Sequence, residues 1–137
     1  MKPTSTRIHH IAIAVRDLDQ ALEFYQDGLG LEVTERRSVP QEGVKIAFLP
    51  AGEGKIELLE PLDDESGVAR FLDKHGEGLH HICLIVEDIE AAVARLKESG
   101  ARMLSRKPRQ GEDGSRYIFI HPRSCNGVLL ELYELVE

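Results

Sequence analysis

The stretch that decides the fold is His9-His10-Ile11-Ala12-Ile13-Ala14-Val15-Arg16-Asp17-Leu18, because the chain repeats it as His80-His81-Ile82-Cys83-Leu84-Ile85-Val86-Glu87-Asp88-Ile89. The spacing between matching positions is constant, since His81 follows His10 at the same distance along the chain as Asp88 follows Asp17. Each copy is followed by an apolar segment with one glutamate, Glu57 or Glu131, at a slightly larger spacing. The repeat predicts two similar modules, about residues 7–62 and 78–134, in a single domain spanning 1–137. Modules this short rarely bury a core alone, so we expect them to pair.

Alternating side chains predict that residues 8–15 form a strand. His10, Ala12 and Ala14 share one face of this strand, and His9, Ile11, Ile13 and Val15 share the other. Asp17 is suited to cap a helix that ends near Gly28 or Gly30. The remaining predicted elements are strands near 31–36, 44–49 and 55–59, a short helix at 68–74, then a strand at 80–86, a helix at 88–99 and strands near 101–105, 116–121 and 127–133. Each module is therefore predicted to be βαβββ, and the fold class is α+β with two such modules in tandem.

The charge and composition exclude several classes of function. A formal net charge of −7 argues against general nucleic-acid binding. No apolar run approaches the roughly 20 residues that cross a bilayer, the first residues lack a signal peptide's apolar stretch, and the two cysteines have no CxxC spacing. These features predict a cytoplasmic protein without a membrane partner. Basic residues are concentrated in 102–123, which suits either a nucleotide phosphate or a solvated surface.

Two histidines and two glutamates occupy matching places in the modules. Strand parity assigns His10, whose face carries the small Ala12 and Ala14, and its repeat His81 to a cavity, and assigns His9 and His80 to the helix-packed side or its rim. Glu57 and Glu131 are carboxylates within apolar strands. A buried carboxylate must pair, shift its pKa or bind a metal, although a strand-end glutamate can also reach solvent. The fourfold match favours one metal held by all four side chains. Nitrogen and oxygen donors suit Co²⁺, Ni²⁺, Mn²⁺, Fe²⁺ or Zn²⁺, and a six-coordinate ion would keep two positions open for substrate oxygens.

These motifs resemble the vicinal oxygen chelate superfamily and, within it, the methylmalonyl-CoA epimerase family. The resemblance covers nearly all of residues 8–134. It rests on the two His-His stretches and on four further segments: Gly43-Val44-Lys45, Glu57-Leu58-Leu59-Glu60-Pro61-Leu62, His121-Pro122-Arg123, and Gly127-Val128-Leu129-Leu130-Glu131-Leu132. It implies that the two βαβββ modules pair into a curved, barrel-like mixed sheet around a metal cleft. His10, His81 and Glu131 would be the ligands, with Glu57 in the fourth position. Co²⁺ is the first choice of metal, and a homodimer is expected.

The resemblance also implies a reaction: interconversion of (2R)- and (2S)-methylmalonyl-CoA through removal and return of the α-proton. A divalent cation would stabilise charge on the enolate's thioester oxygen. Glu131 and Glu57 are the candidate bases. A glutamate proposed as a second base in a relative aligns with Ile46, which cannot transfer a proton, so this chain needs Glu57 or Glu42 in that role.

The coenzyme A arm requires phosphate ligands, for which the basic stretch offers Arg116 and Arg123. The segment Ser124–Gly127 is expected to present backbone N–H groups to the substrate, with Ser124 and Gly127 as the candidate residues. Cys125 is the weaker hypothesis as a nucleophile, because nothing nearby marks it as a thiolate and epimerisation needs no covalent step.

Three other functions remain open at this point. A glyoxalase I-like lyase would use the same two histidines and two glutamates. An Fe(II) extradiol dioxygenase uses two histidines and one carboxylate, and a fourth protein ligand would obstruct it. A metal-free protein that sequesters a small molecule would have no need for four matched ligands.

Overall fold

A computed structural model describes residues 6–136. Its residues separate into two compact units. The first unit comprises residues 10–80, and the second comprises residues 81–136 together with residues 6–9. Within 6–136, no helix is both long enough and apolar enough to cross a bilayer.

The first unit contains one βαβββ pattern followed by a connecting helix. Its elements are β1 (Arg7–Ala14), α1 (Leu18–Leu22), β2 (Glu35–Val39), β3 (Val44–Ala51), β4 (Gly54–Pro61) and α2 (Gly67–His75). A π-helical segment, Glu23–Gly28, continues α1. Strand β4 pairs in parallel with β1 and antiparallel with β3, and β2 pairs antiparallel with β3. The order of strands in this unit is therefore β2-β3-β4-β1.

The second unit repeats this pattern with β5 (Gly78–Ile85), α3 (Ile89–Glu98), β6 (Arg109–Gln110), β7 (Arg116–Ile120) and β8 (Leu130–Glu134). Strand β8 pairs in parallel with β5 and antiparallel with β7, and β6 pairs antiparallel with β7. The predicted βαβββ pattern is thus confirmed in both halves of the sequence.

Both module helices begin in the same way. Asp17 Oδ1 accepts a hydrogen bond from the Gln20 N–H at 3.1 Å, which confirms the predicted N-cap. Its repeat, Asp88, accepts from the Ala91 N–H at 3.0 Å. A second carboxylate also receives the first helical N–H: Glu60 accepts from Leu18 at 2.8 Å, and Glu134 accepts from Ile89 at 2.9 Å. Negative charge at a helix N-terminus satisfies unpaired N–H groups and complements the helix dipole.

The predicted division of faces in β1 is confirmed by packing. Ile13 and Val15 contact the cluster that lies beneath α1, whereas Ala12 and Ala14 belong to a separate buried cluster. In that second cluster, Val68 and Leu72 of α2 pack beside the two alanines. The small side chains therefore admit a helix, rather than leaving open space at this end of the strand.

Two predicted strands are placed wrongly. The predicted strand at 31–36 gives way to β2 at Glu35–Val39, and the one at 101–105 gives way to β6 at Arg109–Gln110. Leu31 and Val33 alternate because both pack against the cluster under α1, without a ladder partner in a named strand. Met103 makes only an isolated bridge to Ile120. In these two segments, the alternation of apolar and polar residues reflects burial of one face and does not indicate pairing with another strand.

Candidate functional site: two buried histidine–glutamate pairs

The first unit contains a buried histidine–glutamate pair. His10 Nε2 lies 3.2 Å from Glu57 Oε1, and the residues are 4% and 7% exposed. They come from adjacent parallel strands, in which Lys55 is the register partner of His10 and Ala12 that of Glu57. Because side chains two residues apart on a strand share a face, Glu57 projects beside His10.

The second unit builds the same pair from its own strands. His81 Nε2 lies 3.1 Å from Glu131 Oε1, and the residues are 6% and 8% exposed. Cys83 is the register partner of Glu131 in the parallel pairing of β5 with β8. The parity argument that selected His10 and His81 over His9 and His80 agrees with this placement within each unit.

A phenylalanine ring packs against the histidine of each pair. The ring of Phe48 meets His10 edge-on, with centroids 5.4 Å apart, and Phe119 meets His81 edge-on at 5.2 Å. Phe48 is also the antiparallel register partner of Glu57, as Phe119 is of Glu131. Sequence reasoning missed both rings. The signal was present, since Phe48 and Phe119 have the same spacing along the chain as His10 and His81.

The geometry of each pair fits two neighbouring ligands of one metal ion. Donors bound at about 2.1 Å and at right angles to each other lie about 3.0 Å apart. The observed separations of 3.2 and 3.1 Å are close to this value. Each unit therefore offers one imidazole nitrogen and one carboxylate oxygen in a buried, apolar setting, which is a donor set suited to a divalent transition metal.

Arg116 does not lie on the strand face that carries Glu131. Its guanidinium forms an ion pair with Glu90 of α3 at 3.1 Å. Ile118, on the same face of β7, packs in the cluster under α3, whereas Phe119 on the opposite face contacts His81. Binding of a phosphate by Arg116 would therefore have to compete with Glu90.

The turn at 122–127 uses several of its polar groups internally. The Ser124 N–H donates to the His121 carbonyl at 2.9 Å, and the Gly127 N–H donates to the Pro122 carbonyl at 2.8 Å. Ser124 Oγ accepts from the Arg102 N–H at 2.9 Å, and its own hydroxyl proton stays available as a donor. Arg123 is exposed. The turn thus offers a guanidinium and a hydroxyl, rather than the expected N–H groups of Ser124 and Gly127.

Three further candidates have clear placements. Ile46 is 3% exposed within the apolar cluster that contains Ala12 and Phe48, so this position supplies no proton-transfer group. Burial raises the pKa of the Cys125 thiol, which disfavours a thiolate nucleophile. Glu42 lines an open polar groove whose other residues are Gln41, Gly43, Asp63, Glu65, Ser66 and Gly67.

Comparisons with known proteins agree over nearly the whole chain. Residues 9–119 match the model of the glyoxalase/bleomycin resistance protein/dioxygenase superfamily. The mitochondrial methylmalonyl-CoA epimerase of Homo sapiens is 46% identical over 127 residues, covering 92% of this chain and 72% of that protein. The ethylmalonyl-CoA/methylmalonyl-CoA epimerase of Cereibacter sphaeroides is 47% identical over 131 residues, covering 94% of this chain and 98% of that protein.

A solved structure extends the agreement to the fold. A variant of the Streptomyces coelicolor methylmalonyl-CoA epimerase, in complex with 2-nitronate-propionyl-CoA, superposes with a TM-score of 0.88 at 39% identity. The superposition covers 96% of this chain and 98% of that one. This similarity confirms the fold class that the repeat predicted.

Proposed function

Since the chain belongs to the glyoxalase/bleomycin resistance protein/dioxygenase superfamily and, within it, to the methylmalonyl-CoA epimerases, we propose that it interconverts the (2R) and (2S) forms of methylmalonyl-CoA. The observation that carries this proposal is an identity of 46–47% to two epimerases over more than nine-tenths of the chain. The matched histidine–glutamate pairs supply the groups that the chemistry needs.

His10, Glu57, His81 and Glu131 are proposed to hold one divalent ion, with Co²⁺ as first choice and Ni²⁺, Mn²⁺ or Zn²⁺ as alternatives. Support comes from the internal repeat and from donor separations that suit neighbouring ligands in each pair. A bound ion would supply Lewis acidity where negative charge develops on the thioester oxygen.

Glu131 and Glu57 are the proposed proton-transfer groups. One carboxylate takes the α-proton from the carbon between thioester and carboxylate, and the other returns a proton to the opposite face of that carbon. Each is buried, lies beside a histidine, and has a phenylalanine as its register partner on the neighbouring strand. General acid–base assistance of this kind contributes roughly 10²- to 10⁴-fold to a rate. Ile46 leaves no competing base at its position.

For the coenzyme A arm, Arg123 and Ser124 are the better-supported ligands of the predicted set. Arg123 is exposed, and the Ser124 hydroxyl proton stays available. Arg116 would serve only by exchanging Glu90 for a phosphate, and Gly127 would contribute through the shape of the turn rather than its N–H. The homodimer and the cytoplasmic location stay predictions from the sequence.

The test is incubation of metal-loaded protein with a single epimer of methylmalonyl-CoA in D₂O. Mass spectrometry follows α-deuterium uptake, and a stereospecific assay follows the opposite epimer. We expect both to appear together, and to be lost in His10→Ala and after chelation. The matched control is His75→Ala, because His75 is an exposed histidine of the same unit.

Absence of exchange and inversion in protein shown to contain stoichiometric metal would refute the epimerase activity. Conversion of a methylglyoxal–thiol adduct by that same preparation would then favour the glyoxalase I-like alternative.

A further inference from the structure

The repeat is broken next to the first histidine–glutamate pair. Histidine, phenylalanine and glutamate recur in both units, but the first unit has Lys55 two residues before Glu57 where the second has Leu129 two residues before Glu131. One unit therefore places a lysine ammonium beside its pair, and the other places an aliphatic side chain there.

Lys55 lies on the face of the sheet that carries the pair. It is the register partner of His10 in β1, and it shares its strand face with Glu57. The ammonium Nζ lies 5.3 Å from the centroid of the Phe48 ring, the same ring whose edge meets His10. Lys55, Phe48, His10 and Glu57 thus form one contiguous group within the first unit.

The contact that Lys55 makes is weak enough to be exchanged. Within residues 6–136, no ion pair engages its ammonium, and the side chain is half-buried. A cation above an aromatic ring gains about 0.5–1 kcal/mol at an accessible site. A charge-assisted hydrogen bond to a carboxylate is stronger, so an anionic ligand arriving beside Glu57 would attract this ammonium.

The substrate of the proposed function, like the two histidine–glutamate pairs, has a charged side and an uncharged side. Its reacting carbon carries an anionic carboxylate on one side and an uncharged thioester on the other. We infer that the Lys55 ammonium binds the free carboxylate of the acyl group, and thereby orients the reacting carbon relative to Glu57. Lys55 is on this inference a positioning and specificity residue for malonyl-type acyl-CoA substrates, and the inference rests on the proposed function.

The experiment compares binding of malonyl-CoA and acetyl-CoA, which differ by the carboxylate alone, to metal-loaded protein by titration calorimetry. For Lys55→Met we expect malonyl-CoA affinity to fall about 10- to 100-fold, as befits the loss of a charged hydrogen-bonding partner. Acetyl-CoA affinity should change less than about twofold, because its acyl group offers no anion to the ammonium. Lys55→Arg should keep most of the preference for malonyl-CoA.

Lys74→Met is the matched control, since Lys74 is an exposed lysine of α2 in the same unit. Its preference between the two ligands should equal that of the wild type. Steady-state kinetics add a second readout: Lys55→Met should raise KM for methylmalonyl-CoA by a larger factor than it lowers kcat.

Equal weakening of both ligands in Lys55→Met, or an unchanged preference for malonyl-CoA, would overturn the inference. Because ligand binding is measured without turnover, the role of Lys55 and the epimerase activity can be refuted independently of each other. A lysine-dependent preference for malonyl-CoA without deuterium exchange would sustain the role of Lys55 and refute the epimerase activity.

Discussion

The ring of Phe119 stands at 89° to the imidazole of His81 in a T-shaped contact, with 5.2 Å between centroids. Phe48 stands at 67° to His10 in the other unit. The register also pairs each phenylalanine with the neighbouring glutamate, so each phenylalanine adjoins both members of a pair.

Replacing Phe119 by Leu should weaken metal binding while leaving the fold intact. Edge-to-face contacts are worth about 0.5–1.5 kcal/mol, which corresponds to roughly two- to tenfold in metal affinity if the imidazole loses its preferred orientation. Competition with a chromophoric chelator measures this affinity. Phe24→Leu, at an exposed ring 59% accessible, should leave it unchanged. Equal metal affinity in Phe119→Leu and the wild type would show that the ring does not orient the ligand.

Replacing Glu57 by Gln should separate proton removal from inversion. If each glutamate serves one face of the reacting carbon, the variant keeps deuterium exchange of one epimer but loses interconversion by at least about 10²-fold. Glu131→Gln should show the opposite preference. Each epimer is assayed separately in D₂O, with metal content measured for both variants. If each variant lost deuterium exchange equally for both epimers, the assignment of one glutamate to each face of the reacting carbon would be contradicted.

Glu60 and Glu134 should stabilise the helices that they cap. Each accepts a hydrogen bond from the first residue of a helix, Leu18 or Ile89. Removal of a charged acceptor from a helix N-terminus costs about 1–2 kcal/mol, so Glu60→Ala and Glu134→Ala should each lower the free energy of unfolding by that amount. Urea denaturation provides the measurement, with exposed Glu53→Ala as reference. A destabilisation no larger than that of the reference would exclude the capping role.

Gly43 should tolerate alanine much less well than Gly52. Both have positive φ, +69° and +68°, so both substitutions carry a similar backbone strain of about 1 kcal/mol. A Cβ at Gly43 would lie 2.8 Å from Ser66 Cβ, whereas one at Gly52 meets nothing within 4 Å. Since Ser66 Oγ caps α2 through the Ala69 N–H, Gly43→Ala should cost at least about 1 kcal/mol more in thermal or urea unfolding. Equal stability of the two variants would mean that Ser66 and α2 move to accommodate the added Cβ without loss of stability.

Cys125→Ser should retain epimerase activity within about threefold, because a thiol whose pKa is raised by burial is a poor nucleophile at neutral pH. The sign of the shift predicts slow alkylation: at pH 8 the thiolate fraction is below that of an ordinary cysteine and rises only at higher pH. The pH dependence of the iodoacetamide reaction rate of Cys125, in a Cys83→Ala background, tests this. If the alkylation rate rose with an apparent pKa at or below that of ordinary cysteines, the raised pKa of Cys125 would be contradicted.

The helices and the four candidate ligands were predictable because their signals are local or repeated. Asp17 and Asp88 mark helix starts through side-chain capping, which needs no knowledge of the rest of the chain. Alternation in β1 separates His10 from His9 without knowledge of the other strands. The constant spacing of the repeat then transfers each conclusion to the second module.

Positions that depend on pairing register were not predictable in this way. Leu31 and Val33 alternate like a strand, yet they are buried against a helix. Arg116 looked available because sequence shows its charge but not its partner Glu90, which is distant along the chain and lies on α3. The role of Lys55 depends on its register with His10 and its contact with Phe48, and neither follows from spacing along the chain.

The carboxylates that cap the helices also determine how the chain would fail on heating. Glu60 and Glu134 each follow a candidate ligand by three residues on the same strand, and each binds the start of a helix on the other side of that strand. Detachment of either helix therefore breaks a hydrogen bond to the strand that carries Glu57 or Glu131. Heat inactivation and loss of helical ellipticity should therefore follow one common transition, with no interval in which an inactive protein keeps its helices.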